Sequence, residues 1–165
     1  MREKPISKIT PTELCRRADI NRNTFYTHYQ SAEDLLRGIE DELYGKLRGA
    51  LEQLGCGLSI RALITQVCVT IRENYDLCSI LLSENGDLCF LERLISLAHD
   101  QTMLVWQDSG IRADALLLET LYTYSVSGSV AVIREWVRGG MPQPPDMIAD
   151  KLEQLTYCGL NAFVK

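Results

Sequence analysis

Long uninterrupted apolar runs are missing from this 165-residue chain. Charge breaks those that begin, so no segment is expected to span a bilayer. The opening "MREKPISKIT" lacks the apolar stretch of a secretory signal. Histidine is scarce, two residues in all, and the six cysteines are scattered without a CxxC pair or a His at zinc-ligand spacing. No metal ligands and no cofactor are therefore assigned. His28 and His99 have no nucleophile paired with them, so no catalytic residue is assigned and the chain is not expected to be an enzyme. "LGCGLS" is a partial Gly-x-Gly without a preceding strand or a third Gly, which excludes a dinucleotide fingerprint. A soluble cytoplasmic protein with reduced, structural thiols is expected, redox sensing being the alternative.

What is present is globular composition, 46% hydrophobic and 24% charged, with a net charge of −5. That average hides a gradient. Residues 1–31 carry six Lys and Arg against three Asp and Glu, while the remainder carries eleven against nineteen. A modestly basic head on an acidic body suits contact with nucleic acid through one end only.

The apolar periodicity is helical nearly everywhere, and no alternating strand pattern competes with it. Thr10-Pro11-Thr12-Glu13 combines an N-cap, a proline at the first helical position and an acid three residues after the cap, which opens a short helix to Ala18. Asp19-Ile20 makes a tight turn, and Asn21 caps a second short helix over Arg22 to Tyr29. Ser31 caps a long helix carrying Leu35, Leu36, Ile39, Leu43, Leu47 and Leu51, which the glycines Gly55 and Gly57 end. Further helices are expected from Ser59, over Leu77 to Leu82 as far as Asn85-Gly86, from Asp87 to about Gln107, over Ala113 to Arg138, and from Asp146 to Cys158 or Leu160. The fold class is all-α.

Two short helices joined by a tight turn form a helix-turn-helix. Leu14, Ala18, Ile20 and Phe25 supply its small and apolar anchors, and Tyr29 is expected inside with Tyr26 outside. Arg22, Asn23, Thr24, Tyr26 and His28 then project from the second helix, whose N-terminal end is where base edges are reached. Asn pairs with adenine and Arg with guanine, while hydroxyls and ring N–H groups suit phosphate oxygens.

The segment "ITPTELCRRADINRNTFYTHYQSAEDLL" resembles the DNA-binding part of the TetR/AcrR family of bacterial transcriptional regulators. The phrases "LLSENGDLCFLERL" and "VSGSVAVIREWVRGGMPQPPDMIADKL" are similar to the C-terminal half of one subgroup. The resemblance implies an N-terminal helix-turn-helix domain over residues 1–48 and an effector-binding and dimerisation domain over 49–165. It implies a homodimer on palindromic double-stranded operator DNA, acting as a repressor that a small-molecule effector releases. By motif position Thr10, Thr12, Tyr26 and His28 are implied phosphate contacts. Arg22, Asn23 and Thr24 are implied to reach base edges or nearby phosphates. Ala32 stands where the family often has Lys. Only "MREKPISK" precedes the helix opening at Thr10, so the family's first helix is expected to be truncated.

The last two helices are implied to pair across the dimer axis. Tyr122, Ser125, Gly128, Ser129, Val132 and Trp136, with Leu152 and Leu155, are the interface candidates, an ordinary buried helix being the alternative. His99, Trp106, Tyr122 and Tyr124 are candidate effector contacts. A second functional reading stays open: an interaction protein of this fold without autonomous DNA binding, acting through another regulator.

Overall fold

The computed structural model describes residues 1, 4–53, 59–83, 86–108 and 114–160. Among them the architecture is all-α, eight helices after a 3-10 turn at Ile6–Lys8. Most helices begin where a side chain takes up an orphan amide. Thr10 Oγ1 accepts from the Glu13 N–H to start α1, Pro11–Ala18. Asn21 Oδ1 accepts from Asn23 at 2.8 Å to start α2, Arg22–His28. Ser31 Oγ accepts from Asp34 at 3.1 Å, and the Asp34 carboxylate accepts the Gln30 N–H at 2.9 Å. This reciprocal cap opens α3, Ala32–Gln53. Ser59 caps α4, Ile60–Glu73, and α5 covers Tyr75–Leu81. Asp87 Oδ1 receives the Cys89 N–H at 2.7 Å ahead of α6, Leu88–Asp108. Asp114 caps α7, Ala115–Arg138, and α8 follows over Pro145–Leu160. The expected stops at Gly55, Gly57 and Asn85, together with Cys56, lie outside the described residues.

The main core gathers Leu36, Leu43 and Leu47 of α3 with Cys68 and Ile71 of α4, Cys78 and Leu81 of α5, and Phe90 of α6. Ile133, Trp136 and Val137 of α7 and Ile148 and Leu152 of α8 complete it. The α4–α8 pair is the most extensive helix contact, and Ala149, fully buried, lets the two backbones come close. Burial pushes the Cys68 thiol up to about 12 and the Cys78 thiol up to about 11, so both are packing groups without thiolate reactivity.

The helix α7 closes tightly. Gly139 and Gly140 N–H groups donate to Glu135 and Val137, and Met141 N–H donates to the Trp136 carbonyl at 2.9 Å. Gly140 and then Met141 hold left-handed backbone, φ 78° and 54°. Glycine takes that conformation freely, whereas methionine does so against its preference. Burial of the Met141 side chain in the core offsets the strain. Trp136 Nε1 donates to the Gln143 carbonyl at 3.0 Å, pinning the proline-rich connection to α8.

One buried group breaks the apolar pattern. Glu40 is 2% exposed, and its Oε1 has no hydrogen-bond partner. Burial first, then the nearby Asp87 carboxylate, raises its carboxyl to about 7. Arg93 offsets this only in part, its guanidinium being drawn to Asp41 at 2.8 Å and to the face of Tyr44 at 4.8 Å.

By length and composition α7 is apolar enough to cross a membrane, and only 6% of its most apolar window is buried inside the protomer. Its C-terminal half is anchored in the core through Ile133, Trp136 and Val137. Its outward apolar surface includes Leu116 and Tyr124, each 78% exposed.

Truncating the almost fully buried Phe90 to Ala should lower unfolding free energy by about 3–5 kcal/mol, read from the urea midpoint at constant slope. The Glu40 proton gives a second test. Below pH 4.5 both folded and unfolded chains carry it. Between 4.5 and about 7 only the folded chain holds it, so stability falls as pH rises through that window. Glu40→Gln should flatten this slope in urea titrations at several pH values.

Candidate nucleic-acid interface and body cavity

The head is built by α1, its turn and α2. Asp19 ends α1 in left-handed backbone, φ 53°, with its N–H on the Cys15 carbonyl. Aspartate tolerates this conformation better than most residues, and the turn reverses the chain within two residues. Phe25 is the buried residue of α2, with the Tyr26 ring edge-on at 5.5 Å and the Tyr29 ring at 5.8 Å. Tyr29 is half-buried beside Gly38 of α3, and Tyr26 is exposed.

Two expected anchors fall elsewhere. Ala18 is exposed and Ile20 is 43% exposed, while Cys15 is the buried residue of α1. Cys15 takes the inward position on α1, and the chain leaves the helix through the left-handed Asp19 with Ile20 exposed. The thiol at this position behaves as a small hydrophobe.

All seven sequence-derived candidates for DNA contact are exposed: Thr10 and Thr12 at the start of α1, and Arg22, Asn23, Thr24, Tyr26 and His28 on α2. The Arg22 guanidinium lies 6.0 Å from the Tyr26 ring centroid. Thr27 returns its hydroxyl to the Asn23 carbonyl at 2.9 Å, leaving the Asn23 side chain outside that bond. Lys8, Arg16 and Arg17 add exposed cationic side chains to the same module, which only the charge count hinted at. Glu13 is held by Lys4 at 2.5 Å and lies 3.6 Å from Arg17. The Lys4 hydrogen bond lowers the Glu13 carboxyl below its ordinary range. Ala32, which stands where the family often has Lys, is buried at the first turn of α3.

Between α4, α6 and α7 the body forms a partly open cavity of about 150 Å³. Trp106 and Tyr122 line it, their rings edge to face at 6.4 Å. His99 stacks edge-on against Tyr122 at 4.7 Å, with Nε2 3.2 Å from both carboxylate oxygens of Glu119. Tyr124 is corrected: it points outward, because it sits about 200° around the helix from Tyr122. The interface candidates also divide. Tyr122, Trp136 and Leu152 are spent inside the protomer, and Ser125 and Ser129 line the cavity. Gly128, Val132 and Leu155 face outward. No group of three or more metal-ligating side chains comes together among the described residues.

The chain thus sets a helix-turn-helix head on an all-helical body. Residues 59–157 match the family model described as the C-terminal region of a transcriptional regulator of TetR type. The chain belongs to the TetR family of bacterial transcriptional regulators. Among solved structures it is similar to the dihydroxyacetone kinase operon activator DhaS, with a TM-score of 0.66 and 17% identity over 99% of this chain and 91% of that one. A TetR family repressor, AlkX from Dietzia sp. strain DQ12-45-1b, aligns at a TM-score of 0.44 and 17% identity, over 99% of this chain and 93% of that one. No curated protein matches the chain.

Since Phe25 alone is buried on α2, Phe25→Ala should loosen the head before the body. The expected result is faster amide exchange over residues 11–29 with protection in α4 and α8 retained, at a local cost of about 3–5 kcal/mol.

Proposed function

We propose that the protein binds operator DNA through α2 and regulates transcription as a homodimer, with residues 1–48 as reading head and 49–165 as effector and dimerisation domain. The observation that carries this reading is the division of α2. Phe25 is buried behind it, while Arg22, Asn23, Thr24, Tyr26 and His28 are all exposed. Arg22 and Asn23, at the N-terminal end of the helix, are the base-reading residues. Thr10, Thr12, Tyr26 and His28 hold phosphates and set the register. The role is binding and not catalysis, and it belongs to the cytoplasm, where the operator is.

Dimerisation is supported by the outward apolar surface of α7 and α8. Leu116, Tyr124 and Val132 lie on α7 and Leu155, 67% exposed, on α8. An added Cβ at Gly128 would meet nothing within 4 Å, so this part of α7 is open to the close approach of another helix. Two heads fixed by one axis require a two-fold symmetric site. The function is repression, relieved when an effector enters the cavity and changes the spacing of the heads, a coupling between two sites.

Selection of random duplexes on the purified protein should enrich a palindrome, with affinity falling steeply as salt rises. Arg22→Ala or Asn23→Ala should relax preference at one base position by about 1–3 kcal/mol, and Tyr26→Phe should weaken all sequences alike. A dimer in sedimentation that enriches no sequence and shows no salt-sensitive DNA affinity overturns autonomous binding. It would favour a role exercised through another regulator.

A further inference from the structure

The walls of the body cavity restrict what can occupy it. They present almost no polar surface to the space they line. Three of the polar residues among them have turned hydrogen bonds elsewhere, while the buried Trp106 Nε1–H has no partner. Tyr122 donates its hydroxyl to the Ile95 carbonyl at 2.7 Å, Thr102 donates to Ala98 at 2.8 Å, and Arg134 Nε donates to Leu82 at 2.9 Å. The remaining surface is hydrocarbon, including Ile64, Leu94, Val126 and Val130.

A water molecule needs two to four polar partners to be held in such a space, and these walls offer almost no polar surface, with Trp106 Nε1–H a single unpartnered donor among them. An ammonium would give up its hydration without a compensating contact, and a carboxylate would meet few donors on such walls. Hydrocarbon loses nothing on entry and gains dispersion contacts with the walls. An apolar cavity of about this volume takes up a molecule of benzene's size.

We propose that the cavity is the binding site of a small uncharged hydrocarbon-like ligand, about the size of one substituted aromatic ring, held between α4, α6 and α7. The proposal rests on the effector reading of the body and names the ligand class for it. The walls, almost wholly apolar, disfavour ionised and strongly polar molecules of equal size.

The test uses the full chain with toluene and benzoate, which differ chiefly by a charged group. Calorimetry should show saturable toluene binding with one site per chain, and benzoate at least about tenfold weaker. Toluene should also raise the thermal midpoint. Ala98→Phe, which fills the space from α6, should abolish toluene binding while helicity is retained. If that variant does not fold, Leu94→Ala provides the check, because the enlarged space should shift preference from toluene toward butylbenzene. Equal or tighter benzoate binding overturns the proposal, as does the absence of saturable toluene binding. Operator affinity, measured separately, distinguishes the two readings. Toluene binding that leaves DNA affinity unchanged removes the effector role and keeps the ligand class. Release of DNA by benzoate and not by toluene keeps the role and removes the class.

Discussion

The continuity of α3 is the constraint on which the arrangement of head and body depends. Its first turn is joined to the segment after α2 by the Ser31 and Asp34 cap, and Ala32 in that turn is buried. Further along, Leu36, Leu43 and Leu47 enter the main core beside α4, α5 and α6. The expected boundary at residues 48 and 49 therefore falls within one unbroken helix, Ala32–Gln53. A helix of 22 residues is a stiff rod about 33 Å long. Whatever tilts its C-terminal half tilts the head with it.

Glu40 sits in the middle of that rod. Among the described residues of α3 the buried positions are Ala32, Leu36, Glu40, Leu43 and Leu47, an unbroken run at four- and three-residue spacing. The carboxyl thus occupies an apolar stripe and faces the first turn of α6, where Asp87 also brings negative charge. An apolar residue there would pack without a desolvation cost.

Caps made much of the fold legible in advance. Thr10, Asn21, Ser31, Ser59 and Asp87 mark helix starts in the sequence because their side chains do work no other position needs. The periodicity also identified the apolar helices. It could not choose between the two faces of α7, since both are apolar and the choice is made by what packs nearby. Tyr122 and Trp136 consequently went inside while Tyr124 stayed out. Glu40 was overlooked because it lies in the charged run "EDE", although its spacing from Leu36 and Leu43 placed it on the buried stripe. In the head, the polar face of α2 was readable because a single large apolar residue, Phe25, fixes its rotation. The turn was not, because the left-handed Asp19 moves Ile20 off the line that helical spacing draws.

The 24-residue α7 is used from two sides at once. Tyr122, Ser125, Ser129 and Ile133 form part of the cavity wall, and Tyr124, Gly128 and Val132 of the same helix look away from the protomer. Packed interiors compress little, so a wall one helix thick has no slack in which to hide a change of interior volume. A surface resting against α7 would register the filling of a space it never touches.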